Sequence, residues 1–106
     1  MSDYQKLAKI VLKEHEQVLM AVNDAEVEKL LDAIAQANCI QVFGMGRMKC
    51  AVRAFVMRLM HMGLDAHVVY DTTCPNIGPG DLLIANAACT TICYTVMDFA
   101  KKAGAK

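Results

Sequence analysis

The sequence predicts an α/β fold in which helices flank a parallel sheet of three strands and two further helices lead the chain. Three short, largely apolar runs, Cys39–Phe43, Ala66–Tyr70 and Leu82–Asn86, have the length and composition of strands. Amphipathic segments at Met48–Met62 and Thr90–Lys102 follow the first and third runs. This alternation is typical of a parallel sheet with right-handed crossovers.

The two leading helices are predicted from apolar spacing and a capping signal. Between Tyr4 and Val22 one helical face carries Leu7, Val11, Val18 and Val22. Asn23, followed three residues later by Glu26, resembles a capping box, so a second helix begins there and fades near Asn38.

The first strand and the helix after it are predicted to form the centre of the core. Cys39–Phe43 is apolar apart from Gln41, as expected for a strand that is covered on both faces. The following helix carries apolar residues at helical spacing, namely Val52, Phe55, Val56, Leu59 and Met60. Gly63 then provides a C-terminal cap, and Gly104 does the same for the last helix.

Three segments are predicted to meet at one edge of the sheet. In a parallel sheet, ligands bind beyond the carboxyl ends of the strands. Those ends are followed here by Gly44–Arg47, Asp71–Thr73 and Asn86–Thr91. We refer to these three segments together as the carboxyl-end rim.

Composition limits the classes of function. The 106 residues correspond to a single domain, 1–106, near the small end of the range that buries a self-sufficient core. Eleven basic residues balance eleven acidic ones, so no global field gathers nucleic acid or anionic lipid. The amino-terminal residues lack a signal pattern, and charged residues interrupt each apolar run before membrane-spanning length. We therefore expect a soluble cytoplasmic protein that binds neither nucleic acid nor a membrane.

The glycine turn after the first strand predicts an anion site. Gly44 and Gly46 let the backbone approach a bound group, and the N-terminus of the next helix presents unpaired N–H groups. A phosphate is the simplest such ligand. A dinucleotide is the less favoured alternative: Asp71 has the place of a ribose-binding acid, but Lys49 stands where the third glycine of that motif is required.

Several segments resemble the sugar isomerase (SIS) domain family. They are Arg53–Gly63, Val68–Val69, Thr72–Pro75 and Gly80–Ala85. Within the family the chain most resembles the 6-phospho-3-hexuloisomerases, and the similarity extends over essentially all of it. The resemblance implies a flavodoxin-like parallel sheet, assembly into dimers or tetramers, and aldose–ketose isomerisation of a phosphorylated sugar without a cofactor.

The resemblance also implies a phosphate site, with some family residues replaced. The family places a serine after the glycine turn, where this chain has Met48, and an S-x-S-G-x-T loop after the third strand. In this chain Ala87 and Cys89 replace the two serines of that loop. The candidate substrate-binding residues are Gly44, Gly46, Arg47, Lys49, Cys89, Thr90 and Thr91.

The chain looks like a shortened, N-terminal portion of that family. The family fold continues through two more strands, and its catalytic base usually comes from that later region or from a neighbouring subunit, so no catalytic residue is assigned here. The third strand is expected to present an unpaired edge. We therefore expect a homo-oligomer formed through this edge and the leading helices. The alternative function is a non-catalytic phosphosugar sensor, or a structural partner domain with a degenerate active site.

The five cysteines are expected to be reduced thiols, since they form no C-x-x-C pair and their number is odd. Four of them follow the carboxyl-end rim: Cys50, Cys74, Cys89 and Cys93. They either form a reactive-thiol or zinc site or simply fill space in packed loops. The packing interpretation is favoured because the paired short spacings of zinc sites are missing, and no metal is predicted.

The histidines are assigned structural roles. His61 and His67 could act together as acid and base, but both are predicted near the amino ends of the strands, opposite the rim. His15 is expected to be exposed or to lie in a subunit contact.

Overall fold

The computed structural model describes residues 1–86 and 91–106 and confirms the predicted α/β fold. The elements are α1 (Asp3–Met20), α2 (Asp24–Gln36), β1 (Ile40–Phe43), α3 (Arg47–His61), β2 (Ala66–Val68), β3 (Leu82–Ala85) and α4 (Thr91–Lys102). Their bounds differ from the predicted ones by one or two residues. In the described residues no helix combines the length and the apolar character that crossing a membrane requires.

The chain divides into two compact units, Met1–Asp32 and Ala33–Lys106. In the first unit, Ser2 opens α1 with a capping box that the sequence analysis missed: the Gln5 amide donates to Ser2 Oγ (3.2 Å) and the Ser2 amide to Gln5 Oε1 (3.1 Å). Asn23 caps α2 as predicted, its Oδ1 accepting from the Ala25 amide at 2.8 Å. The single domain over residues 1–106 stays a prediction.

The second unit contains a parallel sheet in the order β2-β1-β3. The central strand β1 is buried along its whole length, as its apolar composition predicts. Its partners are in matching register, so Ile40 lies between Ala66 on β2 and Leu82 on β3.

The hydrophobic core lies between the sheet and α3. Side chains alternate between the two faces of a strand, so Ile40 and Val42 point to the same face. The core cluster of buried residues comprises Ile40, Val42, Val52, Val56, Leu59, Ala66 and Val68. Phe55 and Met60, which the periodicity included in the apolar stripe of α3, are exposed.

The opposite face of β1 carries Gln41 and Phe43. Gln41 is buried, and its side-chain amide donates to the carbonyl of Pro75 at 2.7 Å. The Phe43 ring meets the Tyr70 ring edge to face, with centroids 6.1 Å apart. The loop that links β2 to β3 therefore contacts residues on this face of the sheet.

The edge of β3 differs from the prediction. In the described residues β3 is an edge strand, but its first half pairs with Lys106: the Leu83 amide donates to the Lys106 carbonyl and the Lys106 amide to the Asp81 carbonyl, both at 3.0 Å. These two bonds follow the pattern of a parallel ladder. The edge is thus partly paired rather than fully open.

Candidate functional site

The turn after β1 requires both of its glycines. Gly44 is buried, and a Cβ atom there would lie 2.8 Å from Val52 Cγ2 and 3.2 Å from the Asn86 carbonyl oxygen. Gly46 has a φ angle of +58°, a left-handed conformation that side chains disfavour. The chain can therefore pass close to the end of β3 and still turn into α3.

The N-terminus of α3 carries a concentrated positive charge. Gly46 is the N-cap, and in the described part of the chain no side chain caps the helix and no acidic residue lies in its first turn. Arg47, which is exposed, and Lys49, which is half-buried, add two full charges to the partial charge of the helix end. Positive charge of this kind favours a bound anion, and the phosphate site itself stays a prediction.

The end of β3 lies beside this turn. The Asn86 amide donates to the Phe43 carbonyl at 2.8 Å, which completes the pairing of β1 with β3. Thr91 is exposed and begins α4. Two of the predicted phosphate-binding residues, Cys89 and Thr90, lie outside the described residues. The structure thus brings Gly44 and Asn86 together and leaves the loop between Asn86 and Thr91 as a prediction.

The end of β2 is tied to α3 through an ion pair. Asp71 Oδ1 lies 3.4 Å from Arg53 Nη2, with both side chains partly exposed. An exposed pair of this kind contributes little to stability, so its effect is mainly positional. Tyr70, which precedes Asp71, has a left-handed φ angle of +75°. The strand β2 ends at Val68, two residues earlier than predicted.

An apolar cleft of about 360 Å³ lies next to the sheet face that carries Gln41. The loop and α4 contribute Cys74, Ile77, Val96 and Phe99, and Leu83 comes from β3. Neither the Gly44–Arg47 turn nor Lys49 lines it. Asp71 is the charged residue among those that line this cleft, and its carboxylate repels a phosphate, so we do not place the anion here.

The described cysteines near the rim have unlike surroundings. Cys50 is exposed, whereas Cys93 is buried with its Sγ 3.8 Å from Met97 Sδ. Burial, and secondly the charge of Asp71, raise the pKa of the Cys74 thiol. In residues 1–86 and 91–106 no metal-ligating group of three includes Cys50, Cys74 or Cys93. Burial of Cys93 fits the packing interpretation and exposure of Cys50 does not, and Cys89 lies outside the described residues.

A different cluster lies at the amino ends of β1 and β2. The ligand atoms of Cys39, Asp65 and His67 all fall within 4.8 Å of one another. His67 Nε2 and Asp65 Oδ1 are 2.6 Å apart. Burial, followed by the charges of Asp65 and Asp81, raises the pKa of Cys39 to about 11. The sequence analysis missed this cluster; its signal was a cysteine before one strand and a D-x-H run entering the neighbouring one.

Comparison with known proteins identifies the relatives of this chain. The 3-hexulose-6-phosphate isomerase of Mycobacterium gastri is 41% identical over 87 residues, which cover 80% of this chain and 44% of that protein. The chain is a homologue of the 3-hexulose-6-phosphate isomerases. This name denotes the same enzymes as 6-phospho-3-hexuloisomerase, so the resemblance stated from the sequence is confirmed. No protein-family model matches the chain.

Two solved structures resemble this chain in fold and sequence, and the description of one of them names the 3-hexulose-6-phosphate isomerases. A hypothetical protein from Methanococcus jannaschii, whose crystal structure led to an inferred molecular function of 3-hexulose-6-phosphate isomerase, has a TM-score of 0.72 and 37% identity; the match covers 76% of this chain and 49% of that protein. Another hypothetical protein has a TM-score of 0.89 and 28% identity over 97% of this chain and 56% of its own. The chain thus spans about half the length of the relatives it matches.

Proposed function

We propose that this chain is a phosphosugar-binding domain of the sugar isomerase (SIS) type. In this proposal the Gly44–Arg47 turn binds the phosphate. The observation that carries the proposal is the uncapped N-terminus of α3, with Arg47 and Lys49 in its first turn. Unpaired backbone N–H groups donate to phosphate oxygens, and the two basic side chains neutralise the charge. The homology to 3-hexulose-6-phosphate isomerases makes a sugar phosphate the best-supported anion.

The segment after β3 forms the second half of the proposed site. Asn86 lies against Gly44, so the loop that follows it starts beside the phosphate position. We assign contacts with the sugar phosphate to Cys89, Thr90 and Thr91. The two threonine hydroxyls donate hydrogen bonds, whereas the Cys89 thiol is a weak donor.

Isomerisation of 3-hexulose 6-phosphate to a 2-hexulose 6-phosphate is the proposed reaction, which interconverts two ketoses rather than the aldose and ketose expected from the resemblance. Moving a carbonyl to the adjacent carbon requires a base that transfers a proton between the two carbons and donors that stabilise the enediolate oxygen. The carboxylate of Asp71 lies at the end of β2 but is engaged by Arg53. We therefore assign no catalytic base to this chain, and the substrate class is taken from the names of its relatives.

A non-catalytic phosphosugar sensor or structural partner domain is the second candidate. Met48 favours it, because this half-buried residue has a thioether where the family has a hydroxyl. Such a domain would bind sugar phosphates without converting them.

A thermal-shift titration with 3-hexulose 6-phosphate, beside inorganic phosphate, tests binding. A ligand at 100 times its Kd stabilises the folded state by about 2.7 kcal/mol. We expect the sugar phosphate to raise the Tm by several degrees and Arg47→Ala to abolish most of that rise. Arg58→Ala, in the last turn of the same helix, is the matched control and retains the rise.

Nuclear magnetic resonance of the same mixtures separates the two candidates. Appearance of the 2-hexulose 6-phosphate isomer supports catalysis, and binding without turnover supports the sensor or partner domain. If no sugar phosphate shifts the Tm, the isomerase and the phosphosugar sensor are both wrong, and of these candidates only the structural partner domain remains.

We also propose that the chain forms a homo-oligomer through the free part of the β3 edge and the leading helices. All residues of α1 except the half-buried Ala8 are exposed, including its apolar stripe. A second copy that covers this stripe removes apolar surface from water. The cytoplasmic location stays a prediction.

A further inference from the structure

The cluster at the amino ends of β1 and β2 combines three kinds of ligand. Cys39 offers a sulfur atom, Asp65 a carboxylate oxygen and His67 an imidazole nitrogen, all within 4.8 Å of one another. The carboxyl-end rim follows the other ends of these strands, so the cluster plays no part in the proposed phosphosugar site.

The backbone itself brings these side chains together. Parallel pairing sets Ile40 opposite Ala66 and Gln41 opposite His67, and the Ile40 amide donates to the Asp65 carbonyl at 2.8 Å. Side chains alternate along a strand, so Cys39 shares a sheet face with Gln41 and Asp65 shares it with His67. The cluster is therefore fixed by the register of two hydrogen-bonded strands.

We propose that Cys39, Asp65 and His67 bind a zinc ion. Zinc accepts sulfur, nitrogen and oxygen ligands together, in contrast to calcium or magnesium, which prefer oxygen alone. Three protein ligands leave a fourth tetrahedral position for water. Asp81 lies close enough to act on Cys39, so a second carboxylate adds negative charge that a divalent cation offsets.

Zinc binding requires only a small rearrangement of the three side chains. Ligand atoms that share one zinc ion, at bond lengths of about 2.0 to 2.3 Å, lie roughly 3.5 Å apart. The distance of 2.6 Å between His67 Nε2 and Asp65 Oδ1 must therefore lengthen, and any distance to Cys39 Sγ near the 4.8 Å limit must shorten by about an ångström. The Asp65 side chain is 60% exposed, which gives the ion a path from solvent.

Two other interpretations of the cluster predict different behaviour. A nucleophilic cysteine must be reached by its substrate, whereas Cys39 is buried. A purely structural hydrogen-bonded triad accounts for the contacts of Asp65 with His67 and Cys39, and it binds no metal. Titration with metal ions separates this triad from a metal site.

Titration of the EDTA-treated full chain with cobalt(II) and zinc(II) tests the proposal. Cobalt(II) occupies zinc sites and gives a thiolate-to-metal charge-transfer band when sulfur is a ligand. We expect one ion per chain, this band, and its loss when zinc is added. Cys39→Ser should remove the band and weaken zinc binding by more than about tenfold, since even loss of an outer partner costs about 10- to 100-fold.

A control variant and a second variant of the cluster complete the test. Cys50→Ser removes an exposed thiol outside the cluster and should leave both band and affinity unchanged. Asp65→Asn, at an exposed position, tests the site if Cys39→Ser does not fold, and should weaken zinc binding while the band remains. The proposal would be overturned if the metal binds without a thiolate band, or if Cys39→Ser or Asp65→Asn leaves zinc affinity unchanged. It would also be overturned if the band disappears in Cys89→Ser instead. None of these results depends on sugar phosphate binding.

Discussion

At the residue scale, Gly44 shows how sterically constrained the Gly44–Arg47 turn is. The φ angle of Gly44 lies outside the left-handed region, so backbone conformation does not require glycine here. Glycine is required because there is no room for a side chain. The contacts that a side chain would make are with Val52 on α3 and the backbone of Asn86 and Lys49. Packing of the turn against these neighbours also sets the direction of the α3 N-terminus.

We predict that Gly44→Ala lowers the free energy of unfolding by about 1 to 3 kcal/mol, the usual range for an overpacked core. The added methyl group would lie 2.8 Å from Val52 Cγ2, and either the side chain or the helix must move. Urea denaturation followed by circular dichroism measures the change. Gly78→Ala is the control, because a Cβ atom there has no described neighbour within 4 Å. Equal stability of the two variants would contradict the packing described for the turn.

Individual residues show which parts of the candidate sites could be predicted from the sequence and which could not. The glycine turn and its basic residues were identifiable from local order alone, since a strand, two glycines and a helix are contiguous. The Cys39, Asp65 and His67 cluster was not, because it depends on the register of β1 against β2. A shift of one residue in that register would send His67 to the other face of the sheet.

At the scale of single elements, α3 shows both the strength and the weakness of periodicity. Three positions of its predicted stripe, Val52, Val56 and Leu59, are buried. Phe55 and Met60 lie on either side of that buried arc and are exposed. Apolar spacing predicts which side of a helix faces the core, but the width of the buried arc depends on the shape of the sheet beneath it.

We predict that substitutions at two adjacent residues of α3, one buried and one exposed, differ measurably in their effect on stability. Leu59→Ala should destabilise the fold by about 2 to 5 kcal/mol, because it removes a buried side chain and leaves a cavity. Met60→Ala, at a position that is 57% exposed, should change stability by no more than about 0.5 kcal/mol. Chemical denaturation of both variants provides the comparison. A larger loss for Met60→Ala would mean that its side chain is covered in solution.

The early end of β2 accompanies a long-range contact that composition does not reveal. The run Ala66–Tyr70 has strand-forming residues throughout, yet the strand stops at Val68 and Tyr70 takes a left-handed φ. The Tyr70 ring then packs edge to face on Phe43. A contact with a residue 27 positions away thus accompanies a conformation that local propensity disfavours.

At the scale of the whole molecule, the alternation of strands and helices was sufficient to predict the class of fold. The parallel sheet, the two leading helices and the homology to 3-hexulose-6-phosphate isomerases all agree with it. The candidate site was less predictable. Its first half is local in sequence, although Met48 alters it, whereas its second half depends on the loop after Asn86.

The leading helix provides the final prediction, which concerns assembly. Apolar residues along one face of α1 are exposed, Leu7 by 63% and Val18 by 69%. Full burial of one such side chain contributes about 1.5 to 3 kcal/mol. We therefore expect concentration-dependent self-association, measurable by sedimentation equilibrium, and a weakening of roughly tenfold or more in Val18→Glu.

Lys9→Gln is the matched control for that variant. It makes the same change in net charge on the opposite side of α1, so it should associate as the unaltered chain does. Equal weakening of both variants would assign the effect to charge, and a monomer at every concentration would exclude the proposed oligomer. Loss of association in Val18→Glu alone would support a contact through the apolar stripe, because both substitutions change the net charge by the same amount and only Val18 lies on that stripe.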